Sequence, residues 1–324
     1  MIVFLTRFLL LLQAAAAIGL AALAAWAWKI DSVALAGACG LLAVLLARLL
    51  IVANNFMLAW MYRRREPAGQ PLGWRGAWRM FLAEFHASMA SSSWTMAFHA
   101  FDKRIARSPR GLPVLLIHGY GCNSGYWHAM SRALDRAGLT HYALSLEPVF
   151  GGIDEYVSLV ERAVETMLRE TGQEKIVIVA HSMGGLVARA WLRSRGSARA
   201  ARVARVITLG TPHRGTGLAN FGVGLNAEQM RWRGSMESGR ASDWLCQLER
   251  DETPETRALF VSIYSRHDNI ISPPSSSCLD GAVNIPYAGI GHVALGLDPR
   301  IQARVIEEIL KASAPASPAP VELF

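Results

Sequence analysis

Residues 175–192 read KIVIVAHSMGGLVARAWL, and the small residues in their middle mark a corner between two kinds of periodicity. Lys175 to Ala180 is an apolar, β-branched run suited to a buried strand, and Leu186 onward favours a helix. A strand that turns sharply into a helix lifts the side chain at the corner, and its neighbours must be small to avoid collision. Ser182 occupies that corner, with Ala180 two residues before it, Gly184 two after and Gly185 next. The pattern is A-x-S-x-G-G, one step from G-x-S-x-G. A hydroxyl held there is exposed, and the helix N-terminus offers amide donors and partial positive charge where an oxyanion would form.

On both sides of this corner the chain alternates as a parallel sheet requires. PVLLI (113–117), HYALSL (141–146), KIVIVA (175–180), RVITLG (205–210), ALFVSIY (258–264) and VNIPY (283–287) are short apolar runs bounded by turn formers. Helical patterns follow most of them. Tyr156, Leu159, Val160, Ala163, Val164 and Met167 recur at helical spacing before Gly172, a C-cap residue, and Ile301, Val305, Ile306, Ile309 and Leu310 repeat the pattern. The expectation is a doubly wound, mostly parallel α/β sheet of about six strands. Ligands bind such sheets beyond the carboxyl ends of the strands, the edge at which Ser182 lies.

A serine hydroxyl is a poor nucleophile until a base takes its proton, so a histidine and an orienting acid must follow, in this topology in the order Ser, acid, His. His213, His267 and His292 come after the corner. His213 directly follows a strand and precedes any credible acid, and His267 adjoins Asp268. His292, in the glycine-bounded loop AGIGHVALG after the last strand, is the expected base. Asp268, just past a strong strand, is the expected acid. Asp280 is held in reserve, although its Asp-Gly dipeptide suits a turn. Two backbone donors are expected to form an oxyanion pocket, Met183 N–H after the nucleophile and Tyr120 N–H in the glycine-rich loop LLIHGYG, which His118 braces.

The ordered set IHGYG, AHSMGGLVAR, TLGTPHRGT, RHDNIISP and GIGHVAL resembles the α/β-hydrolase superfamily, and within it the bacterial triacylglycerol lipases and esterases, over about residues 112–312. The resemblance implies Ser182 as nucleophile, Asp268 as acid, His292 as base and Tyr120 and Met183 as oxyanion donors. Two features depart from the pattern. Ala180 replaces a glycine, and the chain opens with apolar segments foreign to a secreted lipase.

Those segments account for much of the 52% hydrophobic composition. Phe8–Trp28 carries one polar side chain, Gln13, over about the length a helix needs to cross hydrocarbon, and a second run from Val33 to Ala53 is interrupted by Arg48. The first run is too long for the apolar region of a cleavable signal peptide, so both are expected to remain as a membrane hairpin, Arg48 snorkelling toward the interface. The net charge of +8 is uneven: residues 1–62 contribute +2, residues 63–112 contribute +6, and the remainder is neutral. The main domain therefore has no basic face of its own for nucleic acid. Arg63, Arg64 and Arg65 place that side of the hairpin, and the main domain, in the cytoplasm by the positive-inside rule, and are expected to attract anionic headgroups of the inner membrane.

The expected organisation is a two-helix hairpin (1–62), a basic juxtamembrane linker and interfacial segment (63–111), the catalytic domain (112–312) and a disordered tail (313–324). Residues 217–250 are expected to cap the site, with Phe221, Leu225, Met230, Trp232 and Trp244 as acyl-site candidates. The four cysteines include Cys39 in a span and form no disulfide pattern. With no zinc-spaced cluster and no glycine-rich phosphate loop, no cofactor or metal is expected. The expected activity is hydrolysis of lipid or acyl esters, and the same residues would serve a thioesterase, amidase or acyltransferase, while a catalytically dead membrane scaffold would keep only the fold.

Overall fold

The computed structural model describes residues 1–62, 71–193, 196–233 and 239–314. Arg63, Arg64 and Arg65, with the linker to residue 70, and the tail from 315 onward lie outside the described residues.

Nine strands occur among the described residues: β1 (Lys103–Arg104), β2 (Val114–Ile117), β3 (His141–Leu144), β4 (Ile176–His181), β5 (Val203–Leu209), β6 (Trp232–Arg233), β7 (Arg240–Ala241), β8 (Phe260–Ser265) and β9 (Val283–Tyr287). Seven form one sheet in the order β1-β3-β2-β4-β5-β8-β9, all parallel except β1, and β6 and β7 pair separately. The six expected strands are all present. The seventh, β1, comes from residues read as linker, because two residues are too few to carry a period.

The central strands are buried on both faces, so they read as continuous apolar runs rather than alternating ones. Leu115, Ile117 and Ile178 pack on one side with helices Val157–Thr171 and Met183–Arg193. Leu116, Val179 and Ile207 pack on the other with helices His128–Arg136 and Pro299–Ser313. Each crossover lands its helix on a face, and the loops that carry function emerge at the carboxyl ends of the strands.

The N-terminal helices α1 (Ile2–Trp28) and α2 (Val33–Tyr62) run antiparallel, each longer than its expected span. They pack closely where a side chain on Gly40 would meet the Ala17 carbonyl oxygen at 2.1 Å. Because α2 continues to Tyr62, Arg48 falls mid-helix instead of near an end. It does not snorkel outward: it donates to Gln13 Oε1 and Ser93 Oγ at 2.8 Å, and also to Ser92 Oγ. Neutral oxygens from α1 and from Ser92 and Ser93 take three of its donors there.

Helix α3 (Trp74–Ala90), within the segment expected to be interfacial, is amphipathic. Met80, Glu84, Ala87 and Ser91 are buried at helical spacing, whereas Trp74, Trp78 and Leu82 form an exposed stripe.

Candidate functional site

The corner at Ser182 is built as its small residues require. Ser182 has φ 53°, and among the described residues Lys29 is its one non-glycine companion at positive φ. Such a conformation costs of order 1–3 kcal/mol, so the surroundings must enforce it. Ser182 N–H donates to Leu209 O at 2.9 Å, and its carbonyl accepts from Thr211 Oγ1 at 2.9 Å and from Gly185 N–H at 3.1 Å. A β-carbon on Gly184 would lie 2.4 Å from Ile117 O, and one on Gly119 would lie 2.8 Å from the Ser182 β-carbon. Glycine at these two positions lets helix, strand and loop close around the serine.

Asp268 and His292 meet. His292 Nδ1 donates to Asp268 Oδ2 at 2.9 Å, and Asp268 Oδ1 accepts from the N–H groups of Ile270 and Ile271, each at 2.8 Å. Nδ1 being the donor, Nε2 is left to act as a base. Burial pushes the His292 pKa down, but the charge and hydrogen bond of Asp268, helped by the charge of Glu84, outweigh it and leave the pKa above its ordinary 6.5.

The turn that carries His292 is clamped from four directions. Asn269 Oδ1 accepts from His292 N–H at 2.8 Å. Glu84 Oε1 and Oε2 accept from Val293 N–H at 3.0 Å and Ala294 N–H at 2.9 Å. Tyr126 OH donates to Val293 O and accepts from Gly296 N–H, both at 3.1 Å. His181, beside the serine, lies with its ring 4.6 Å from that of His292. Burial and the neighbouring His292 hold its pKa well below 6.5, so it is neutral and Nε2–H donates to His292 O at 3.0 Å.

Glu84 is 1% exposed, and burial raises its pKa against the two amide hydrogen bonds and the charge of His292, which favour the carboxylate. It is the residue that sequence reasoning missed, because a lone glutamate in an amphipathic helix reads as solvent-facing. One signal was there: Glu84 is the only charged side chain between Arg79 and Asp102.

The other candidates separate. Asp280 is exposed and pairs with Arg214 at 2.8 Å, beside Gly281 at positive φ, as a turn residue would. His213 contacts Thr208 Oγ1 at 3.3 Å, and His267 Nδ1 accepts from Gly289 N–H at 3.2 Å. His118 braces its loop: Nδ1–H donates to Gly119 O at 2.8 Å, Nε2 accepts from Leu146 N–H at 2.9 Å, and burial lowers its pKa to about 4. Met183 opens helix Met183–Arg193, where first-turn amides have no intrahelical acceptor. Tyr120 stands in the loop after β2, its hydroxyl donating to Val223 O at 2.7 Å.

Of the acyl-site candidates, Phe221 and Leu225 are exposed and Trp232 is half-buried. Met230 is buried in the core, and Trp244 Nε1 donates to Asp154 at 2.7 Å; these two pack the cap against the domain. An apolar cavity of about 510 Å³ instead opens between the first turns of α1 and residues 148–151, lined by Phe4, Leu5, Val149 and Phe150. The Phe150 ring stands 6.2 Å from that of Tyr120.

The N-terminal helices reach the same region. Ser272 Oγ, four residues past Asp268, donates to Ala59 O of α2 at 2.6 Å, and the Tyr62 ring lies edge-on to Phe221 at 6.4 Å. Helix α2 thus touches the acid loop, and α3, through Glu84, touches the base loop. Among the described residues no group of three or more His, Cys, Asp or Glu is arranged to hold a metal ion.

Residues 113–232 match the α/β-hydrolase fold family. Two triacylglycerol lipases, from Pseudarthrobacter phenanthrenivorans and Burkholderia plantarii, are each 31% identical over 118 residues, 34% of this chain and 35% and 32% of theirs. The matched stretch thus spans about a third of these relatives. The crystal structure of a mature lipase from Bacillus licheniformis superposes with a TM-score of 0.54 at 16% identity, covering 65% of this chain and 97% of that one. At that identity the likeness is one of fold.

Proposed function

We propose, on the premise that the chain has the α/β-hydrolase fold, that it is a membrane-anchored serine hydrolase that cleaves lipid or acyl esters through Ser182, His292 and Asp268. The observation that carries the reading is the 2.9 Å contact between His292 and Asp268, on a turn whose ring neighbour is the residue before the αL serine. A serine held at positive φ is the kind of cost retained at reactive sites.

In the proposed reaction Ser182 Oγ attacks the ester carbonyl while His292 Nε2 takes its proton. The imidazolium is stabilised by Asp268, and the tetrahedral oxyanion by the N–H groups of Met183 and Tyr120. Collapse expels the alcohol, protonated by His292, and leaves an acyl-enzyme. Water, deprotonated by His292, then releases the carboxylic acid. Glu84, Asn269, Tyr126 and His181 hold the base in place and do not touch the reacting atoms.

Helices α1 and α2 are long and apolar enough to cross a bilayer, with mean hydropathies of 2.3 and 2.4, and we read them as the anchor. The arginines at 63–65 would hold the domain on the cytoplasmic side of the inner membrane and draw it to anionic lipid. A lipid ester suits this arrangement, since α2 of the hairpin meets the loop that carries the acid and α3, which follows it, meets the turn that carries the base. The relatives named as triacylglycerol lipases support the same substrate class.

A fluorophosphonate probe should label the purified protein and fail on Ser182→Ala. p-Nitrophenyl esters should turn over faster than acyl thioesters of equal chain length. Absence of labelling in the folded parent protein would refute the serine-hydrolase reading.

A further inference from the structure

A second cavity, of about 430 Å³, lies where α1, α2 and α3 meet. None of its lining residues belongs to the Ser182 site. Its walls are mostly apolar, with Leu20 from α1, Val44 and Ile51 from α2, and Phe85 and Met89 from α3, and Gln13, Ser88 and Arg48 are its polar lining. A volume near the lower end of the usual ~300–1,000 Å³ for small-molecule sites suits one slender ligand.

Arg48 gives the cavity its chemistry. Its hydrogen-bond acceptors are Gln13 Oε1, Ser92 Oγ and Ser93 Oγ, all neutral, and it forms no salt bridge among the described residues. Neutral dipoles solvate a guanidinium but leave its unit charge standing, and in apolar surroundings that charge attracts an anion far more strongly than in water. Two bonds from Nη1 and one from Nη2 leave Nε–H and one Nη2–H of the five donors without an acceptor among the described residues. Two remaining donors are what a two-pronged contact with a carboxylate takes. An ionisable group inside an apolar span is costly, and such groups tend to mark a ligand site.

We propose that this cavity binds a free long-chain fatty acid, its carboxylate on Arg48 and its chain between the three helices. The proposal rests on the hairpin lying in a membrane and on ester cleavage as the reaction, since hydrolysis of an acyl ester by water releases that acid together with the alcohol. The product would then have a resting place apart from the site that makes it.

The test uses the full-length protein in nanodiscs and a diazirine analogue of palmitic acid. Photolysis should cross-link peptides of α1, α2 and α3 saturably, with competition by palmitate and none by hexadecanol, which has the chain without the charge. Arg48→Gln should weaken palmitate competition about tenfold or more, the effect of losing a charge-assisted pair. Ala43→Phe, which keeps the arginine but fills the groove, should also abolish saturable labelling. An unchanged melting midpoint and fluorophosphonate labelling of Ser182 establish that both variants are folded. Ser182→Ala should bind the probe like the parent, so failure of the hydrolase reading leaves this result standing and is told apart from it. Equal labelling of parent and Arg48→Gln, equal competition by hexadecanol, or stronger competition by a lysophospholipid phosphate than by palmitate would each overturn the proposal.

Discussion

Two carboxylates reach the His292 turn from regions of opposite character. Asp268 sits in the loop that follows β8 of the sheet, with its oxygens shared between the imidazole and the amides of that loop. Glu84 comes from α3, well before the sheet begins, and spends both oxygens on the backbone of the turn. One acts on the ring and the other on the peptide that carries the ring. The domain thus obtains the base's electronic partner from its own fold and the base's position partly from an accessory helix, which makes the segment between the hairpin and the sheet a part of the proposed site.

This division predicts unequal losses. Asp268→Asn should lower kcat by roughly 10⁴-fold with little change in KM, because the imidazole loses its orientation and the stabilisation of its charge. Glu84→Gln should cost less, about 10- to 100-fold in kcat, since a misplaced base rather than an altered one is the result. Steady-state hydrolysis of a p-nitrophenyl ester measures both, and equal losses would erase the distinction. Gly210→Ala should follow: Gly210 has φ +56°, and an added methyl would lie 2.7 Å from Leu295 and 3.1 Å from Asp268 Oδ2. We expect a loss of about 1–3 kcal/mol of stability, seen in urea unfolding, with activity reduced alongside it.

The pH profile sharpens the comparison further. His292 must be neutral to accept a proton, so its raised pKa sets the acid limb of kcat/KM, and activity falls as pH drops through it. Both carboxylates raise that pKa, Asp268 more than Glu84, while His181 stays neutral. Removing either should move the limb to lower pH, Asp268→Asn further than Glu84→Gln. A Glu84 role confined to packing would leave the limb in place. The smallest effect is expected for Tyr120→Phe, which keeps the proposed N–H donor and loses only the hydroxyl contact to Val223, worth about 0.5–1.5 kcal/mol in stability. A large fall in kcat there would mean that the side chain itself takes part.

The sheet and the corner serine were legible because their signals are local. β4 and the helix after Ser182 state their periods within 18 residues, and the need for small neighbours follows from the bend itself. Asp268 and His292 were legible as loop residues after strands in the right order. Other features were not. β1 is two residues long, Glu84 looks like any polar face of an amphipathic helix, and Arg48 carries no sign of which oxygens will meet it. The basic cluster that set the expected orientation lies outside the described residues, so it stands as an inference from charge alone.

Period, turn chemistry and apolar length are properties of neighbouring residues, and the amino-acid sequence by itself determined what depends on them: the alternation of strands and helices, the αL serine at its corner and two long apolar helices. Which face of α3 is buried, that Glu84 closes on amides 209 and 210 residues away, and that three neutral oxygens gather at Arg48 depend on segments far apart in the chain. Those meetings are set by how packed layers bring distant elements together, so tertiary structure alone decided them.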